Sequence, residues 1–247
     1  MTTFLRDTWI IFNRSMRLSL RNPIWVVLGL IQPILYLALF GPLLKQVVSS
    51  TPGLPPGDAW QIFVPGLLVQ LGIFGAMFVG FGLIAEYRAG VIERQRVSPA
   101  SRVALLAGRV LRDVVVLLVQ AVLLTLVAIP FGLRAPWGGV LLAVVVVGAL
   151  GAGFSSLSYA AALRLKSEDA LAPLFNGLAI PVLLLSGILL PMSLAPLWLR
   201  RVSDANPLKH VVDGVRVYFT GDITSSAGCD GRRPSVARPN LRPCWPR

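Results

Sequence analysis

Five long stretches without Asp, Glu, Lys or Arg constrain the fold of this 247-residue chain more than any other feature. They contain 23, 27, 20, 29 and 30 residues and lie at 22–44, 59–85, 114–133, 135–163 and 170–199. A helix of roughly 20 residues crosses a hydrocarbon core about 30 Å thick, whereas a soluble helix carries a polar face at every turn. The sequence therefore predicts an all-α integral membrane protein, a polytopic helix bundle with five transmembrane helices.

Composition supports this class, because only 14% of the residues are charged, against about a quarter in soluble domains. Residues 114–119 are apolar on every side of a helix, whereas the strands of a membrane barrel alternate between apolar and polar residues. The first apolar stretch is also too long for a cleaved signal peptide.

The basic residues indicate the orientation of the chain in the membrane. Twelve of them lie before the first predicted span or in the loops after the second and fourth spans, against six on the other side. Since basic residues remain on the cytoplasmic side, we expect a cytoplasmic N-terminus. This distribution accounts for the net charge of +12 without a nucleic-acid partner.

The segment before the first span is predicted to form an interfacial helix. Its two sides are an apolar stripe and a basic face: Leu5, Trp9, Phe12, Met16 and Leu20, and Arg6, Arg14, Arg17 and Arg21. A helix with this pattern lies flat in the bilayer interface; an ordinary polar lead-in is the alternative.

Small residues predict close helix packing inside the bundle. Gly72, Ala76 and Gly80 recur every four residues in the second span, and Gly148 and Ala152 do so in the fourth. Such stripes let two membrane helices approach closely. Pro181 is expected to interrupt the fifth span.

Several kinds of chemistry are missing from the sequence. None of its three Lys follows a Gly, so it has no phosphate-binding loop of the Gly-Lys type. One His and two Cys do not make a usual metal site, and His210 is interpreted as a loop or interface residue. Ser155, Ser156 and Ser158 have no accompanying base and are interpreted as packing residues. We expect no enzyme activity and no cofactor in this chain.

The five stretches also hold no ionisable residue. Ion-coupled carriers normally bury carboxylates or His near the middle of the membrane to bind the driving ion. The energy source is therefore expected to lie elsewhere, although coupling through backbone carbonyls stays open.

The loop after the second span, residues 86–99, carries the most specific pattern. Glu86, Gly90, Glu93 and Val97 are spaced by four, three and four residues and would share one helical face. This predicts a short charged cytoplasmic helix that docks on a soluble partner; a solvated charged loop is the alternative.

Residues 86–99 and the following Gly108-Arg109 resemble the cytoplasmic loop of the type-2 ATP-binding-cassette (ABC) exporter permeases, in particular the daunorubicin-resistance-like drug-export group. The resemblance covers roughly residues 1–226. Further motifs match in order: Arg21-Asn22-Pro23, Gln32-Pro33, Leu185-Ser186-Gly187-Ile188-Leu189-Leu190-Pro191-Met192, Ala195-Pro196-Leu197-Trp198, Asn206-Pro207-Leu208 and Val212-Asp213-Gly214-Val215-Arg216.

The resemblance implies an N-terminal interfacial helix, six spans and a cytoplasmic coupling helix in a bacterial plasma membrane. It implies a second permease copy, in a homodimer or heterodimer, and a separate ATPase subunit that binds ATP and Mg²⁺. The implied coupling residues are Glu86, Arg88, Gly90, Glu93, Arg94 and Arg96. The implied outer end of the translocation path comprises Ser186, Gly187 and Pro191.

The function implied is ATP-driven export of hydrophobic or amphipathic compounds, either drug-like molecules or lipids and polysaccharides. A stand-alone carrier or channel, and a membrane scaffold without transport activity, are the alternatives.

The C-terminal residues depart from the family pattern. We divide the chain into a permease domain at 1–227 and a disordered Arg/Pro-rich tail at 228–247, which holds both cysteines. The sixth span of the family is missing, and a reading-frame shift near residue 228 would explain both features. A genuine short variant with an outer disordered tail is the alternative.

Overall fold

The computed structural model describes residues 2–22, 24–50, 58–96, 101–131, 133, 136–186, 203–204 and 206–220, and none of them is in a strand. The all-α prediction is confirmed. The helices are α1 (Thr2–Arg21), α2 (Ile24–Ser50), α3 (Asp58–Met77), α4 (Val79–Arg88), α5 (Val91–Arg96), α6 (Arg102–Ala128), α7 (Trp137–Leu165), α8 (Glu168–Leu185) and α9 (Pro207–Thr220).

Three helical segments in the described residues are long and apolar enough to cross a membrane: Phe63–Arg88, Arg102–Ala128 and Trp137–Leu165. A fourth is present if α1 and α2, which meet at a bend of 66°, count as one span. The helices α2 and α8 lie where the first and fifth spans were predicted. Pro181 and Pro173 both lie inside α8, so the expected interruption at Pro181 is wrong.

The third span begins earlier than the charge-free stretch at 114–133 suggested. Ser101 is extended and its hydroxyl accepts a hydrogen bond from the backbone N–H of Ala104 at 3.2 Å, which is the geometry of a helix N-cap. The helix α6 then continues for 27 residues. Arg102, Arg109 and Arg112 therefore lie on this helix and not in a loop.

The centre of the bundle is formed by α3, α6 and α7. The helix α3 is buried on nearly all sides between Phe63 and Ile73, as its uniformly apolar sequence requires. The predicted small-residue stripe faces α7, because a Cβ atom at Gly72 would lie 3.2 Å from the side chain of Val147. On α7, Gly148 contacts Leu118 of α6 in the same way. These contacts confirm the packing role of the small residues.

A serine of α7 interrupts the second span at its small-residue end. The Ser158 hydroxyl donates to the carbonyl oxygen of Met77 at 2.5 Å and accepts from the N–H of Gly80 at 3.0 Å. The N–H of Phe81 bonds to the carbonyl of Phe78, three residues back, instead of Met77. Ser158 thus occupies the place of one turn of backbone bonding, which is a recognised cause of helix kinks, and separates α3 from α4.

The N-terminal helix α1 packs on the first turns of α6. A Cβ atom at Gly108 would lie 2.8 Å from the backbone oxygen of Thr8 and 2.9 Å from Ile11, so only glycine permits this approach. The residues of the predicted apolar stripe divide between two surroundings. Phe12 and Met16 lie on the partly buried side, whereas Leu5, Trp9 and Leu20 are exposed, because the Gly108 contact fixes the rotation of the helix.

The helix α9 lies across α3 and α7. Its buried residues, Leu208, Val212, Val215 and Phe219, follow the spacing of one helical face. Burial lowers the pKa of Arg216, and the nearby Asp213 carboxylate opposes that shift. His210 lies on α9 and not in a loop; it is exposed, and its ring lies 3.1 Å from the backbone oxygen of Asp204.

Candidate coupling site

The segment predicted as one charged helix is two helices with a break. The helix α4 ends at Arg88, and Gly90 adopts a φ of +69° before α5 begins at Val91. This left-handed conformation is favourable for glycine and costly for residues with a side chain. Glu86 and Glu93 lie on two different helices with Gly90 in the break between them, so the expectation that these three residues share one helical face is wrong. Val97 lies outside the described residues.

Three contacts fix the end of α4. A carboxylate oxygen of Glu86 lies 2.6 Å from the guanidinium of Arg109 on α6. Arg88 lies 3.4 Å from Glu168, at the start of α8, and the ammonium of Lys166 stands 5.2 Å from the ring centre of Tyr87. The end of α4 is thus attached to α6 and α8 and to the residue that follows α7.

The short helix α5 presents a different surface. Ile92 is buried, whereas Glu93 is exposed, so the apolar side chain holds α5 to the protein and leaves the carboxylate in solvent. Arg94 and Arg96 also lie on α5. Of the six predicted coupling residues, Glu93, Arg94 and Arg96 lie beyond the Gly90 break, and Glu86 and Arg88 bond to other helices.

Glu86 belongs to a polar cluster, centred on the buried Asp113, that the sequence pattern did not predict. Its residues are Glu86, Arg109, Arg112, Asp113 and Tyr159. Asp113 is 3% exposed and accepts a hydrogen bond from the Tyr159 hydroxyl at 2.5 Å. The Nε of Arg112 lies 3.1 Å from its other carboxylate oxygen, although that N–H makes no hydrogen bond.

The polar cluster lies partly within candidate spans, because Arg109 and Asp113 belong to Arg102–Ala128 and Tyr159 to Trp137–Leu165. The five stretches contain no Asp, Glu, Lys, Arg or His, but the candidate span Arg102–Ala128 begins before its charge-free stretch and includes Arg109 and Asp113. The argument against an ion-coupled carrier loses force as a result. The sequence signal that could have revealed the polar cluster is Ser101, whose N-cap starts α6 early and places Asp113 three turns into that helix.

The remaining predicted residues concern the opposite end of the bundle. Ser186 is buried at the end of α8, and its N–H bonds to the carbonyl of Val182 at 3.0 Å. Gly187 and Pro191 lie outside the described residues, so the outer end of the path stays a prediction. Ser155 and Ser156 bond to the carbonyl of Ala152 in their own helix, as the packing interpretation predicted.

Long apolar helices packed into a bundle are typical of a multi-pass membrane protein. The chain belongs to the ABC-2 type transporter family, whose model matches residues 6–220, and it is a membrane permease of an ABC exporter. The family prediction is confirmed.

Three relatives show the range of this family. A transport permease named ycf38 from Cyanophora paradoxa is 26% identical over 219 residues, 88% of this chain and 75% of its own length. The daunorubicin resistance ABC transporter permease protein DrrB1 from Streptomyces coeruleorubidus is 24% identical and covers 84% and 73%. The multidrug ABC transporter permease YbhR from Escherichia coli is 25% identical over 69% of this chain and 46% of its own. No solved structure matches the chain.

Proposed function

We propose that the chain is the membrane subunit of an ATP-driven exporter of hydrophobic or amphipathic compounds. Two permease copies would pair in a bacterial plasma membrane with a cytoplasmic N-terminus, and each would engage a separate ATPase chain that binds ATP and Mg²⁺. The names of two relatives, a daunorubicin resistance permease and a multidrug permease, support this substrate class.

The observation that carries the proposal is the difference between the two sides of the Gly90 break, one exposed to solvent and the other paired with α6. The helix α5 projects the exposed Glu93 into solvent, while the preceding turn of α4 is fixed to α6 through the 2.6 Å pair of Glu86 and Arg109. A movement of the ATPase that displaces α5 reaches the membrane helices only if α4, to which α5 is connected, is firmly attached to them. We assign Glu93, Arg94 and Arg96 to the ATPase contact, Glu86 and Arg88 to positioning, and Gly90 to the turn between them.

The helix α4, which connects α5 to the membrane helices, is held on two sides. The helix α4 is held to α7 through Ser158 and to α6 through Arg109. Movement of α5 would therefore displace α4 against both of these spans, which form the centre of the bundle with α3. This arrangement favours a permease driven from its cytoplasmic loop over a membrane scaffold without transport activity.

The test is charge reversal at Glu93 in the permease expressed with the ATPase encoded beside its gene. We expect Glu93→Arg to insert normally but to lose co-purification with the ATPase and ATP-dependent efflux of a fluorescent amphipathic dye, because like charges then meet at the contact. Asp169→Arg is the matched control, since Asp169 is an exposed acid at the start of α8, beside Glu168.

Asp169→Arg should keep both association and efflux. If Glu93→Arg retains ATPase association and efflux at the level of the unmodified permease, α5 is a solvated loop and the coupling assignment fails.

A further inference from the structure

The outer side of α1 carries a groove that the permease function does not use. It has a volume of about 460 Å³ and is lined by Trp9, Ile10, Asn13, Arg14, Arg17, Leu18 and Arg21, which we call the arginine groove. The inner side of α1 packs on α6 at Gly108, so the groove faces away from the bundle.

The charges of the arginine groove lack partners among the described residues. Arg14, Arg17 and Arg21 are all exposed, and no carboxylate of the described part of the chain forms an ion pair with them. They lie three and four residues apart, so three guanidinium groups follow one helix line within about 10 Å. Like charges at this spacing repel one another, and an anion placed among them removes that cost.

The apolar residues between the arginines indicate where this anion comes from. Trp9 and Ile10 are 61% and 55% exposed, and Leu18 is 52% exposed, in the same groove as the guanidinium groups. Tryptophan is enriched where membrane meets water, and exposed apolar side chains need a non-aqueous surrounding. A soluble acidic protein would satisfy the arginines but would meet this apolar surface less well.

We propose that the arginine groove is a binding site for anionic phospholipid headgroups of the adjoining leaflet. The guanidinium groups would bind the phosphate oxygens in the bidentate geometry that arginine favours, while Trp9, Ile10 and Leu18 lie at the level of the upper acyl chains. The site selects anionic over zwitterionic lipid and holds α1 at the membrane surface. It depends on membrane insertion of the chain and not on the proposed ATPase.

Trp9 provides a local probe of the site. The full chain is reconstituted in phosphatidylcholine bilayers that contain one of two brominated lipids, either brominated phosphatidylglycerol or brominated phosphatidylcholine. The brominated acyl chains quench the fluorescence of nearby tryptophan. The difference between the unmodified chain and Trp9→Phe isolates Trp9 from the other five tryptophans. We expect stronger quenching by brominated phosphatidylglycerol, and we expect the preference to fall as salt is raised from 0.05 to 0.5 M, because the interaction is screened.

Removal of the charges gives the quantitative test. Each arginine near an anionic surface contributes roughly a fivefold preference, so Arg14→Gln with Arg17→Gln should reduce the phosphatidylglycerol preference roughly 25-fold. The matched control is Arg102→Gln with Arg164→Gln, which removes two exposed charges outside the groove and should leave the preference at Trp9 unchanged.

Two results would overturn the proposal. One is equal quenching of Trp9 by the two brominated lipids in the unmodified chain. The other is an unchanged lipid preference in the Arg14→Gln, Arg17→Gln variant combined with loss of ATPase association, which would assign the groove to the protein partner. The salt titration needs no variant, so a folding defect in the double variant does not remove the test.

Discussion

The break between α3 and α4 gives a sharp prediction, because one hydroxyl replaces backbone hydrogen bonding there. Ser158 is 1% exposed, and its side chain bonds to both the Met77 carbonyl and the Gly80 N–H. Ser158→Ala removes the hydroxyl without adding volume. The two backbone groups then either stay unpaired or find partners within their own helix.

The magnitude separates these two outcomes. Two unpaired buried groups would cost about 1–3 kcal/mol each. A regular helix would instead pair Gly80 N–H with the Ala76 carbonyl and Phe81 N–H with the Met77 carbonyl, which recovers most of that loss. Hydrogen bonds between membrane helices contribute about 0.6 kcal/mol on average and reach about 1.7 kcal/mol. We therefore expect Ser158→Ala to lower the free energy of unfolding by about 1 kcal/mol and to restore continuous helical hydrogen bonding from α3 into α4.

Ser156→Ala is the matched control, since the Ser156 hydroxyl bonds at 2.7 Å to the Ala152 carbonyl of its own helix, an oxygen that the helix backbone also engages. It should change the unfolding free energy by less than about 0.5 kcal/mol. The assay is denaturation in lipid–detergent micelles with SDS, together with hydrogen exchange of the peptide that contains Gly80 and Phe81. Equal stability of the two variants with unchanged exchange at Gly80 would refute the assigned role of Ser158 at this break.

Two further predictions concern the contacts of α6. Gly108→Ala should destabilise the protein by about 1–3 kcal/mol in the same assay, because the new methyl group meets the Thr8 carbonyl. The control Gly153→Ala has no atom within 4 Å of its Cβ position and should be neutral or stabilising. Equal effects of the two variants would contradict the packing of α1 on α6. Tyr159→Phe should cost about 1.5–3 kcal/mol. A double-mutant cycle with Asp113→Ala, which removes the acceptor, should show coupling, so additive effects would exclude the Tyr159–Asp113 bond.

The sequence predicts the class and the helix content of this protein because lipid imposes a simple requirement. A membrane-spanning segment must be long and uncharged and must satisfy its own backbone, and the charge-free stretches record this directly. The same logic found the small-residue contact at Gly72 with Val147. The charge-free stretches gave the wrong start for the third span, because the first three turns of α6 are helical but contain charged residues.

The local geometry of the coupling segment could not be predicted from spacing. A 4-3-4 pattern in the sequence assumes one continuous helix, and Gly90 breaks it with a φ of +69°. The long-range bonds are equally invisible to a pattern of local periods: Glu86 pairs with Arg109, 23 positions later in the chain, and Ser158 bonds to Gly80, 78 positions earlier. Only the assembled bundle brings these groups together.

The first turns of α6 are where the separate parts of the protein meet. One side of this segment accepts α1 at Gly108, and the adjacent Arg109 binds Glu86 at the end of α4. One turn further along, Asp113 accepts the hydroxyl of Tyr159 from α7. Because consecutive residues of a helix point in different directions, Gly108 and Arg109 serve different partners without competing. The end of α4 and the N-terminal helix α1 therefore contact the same turn of α6. A displacement of α4 would act on α1 as well as on the centre of the bundle.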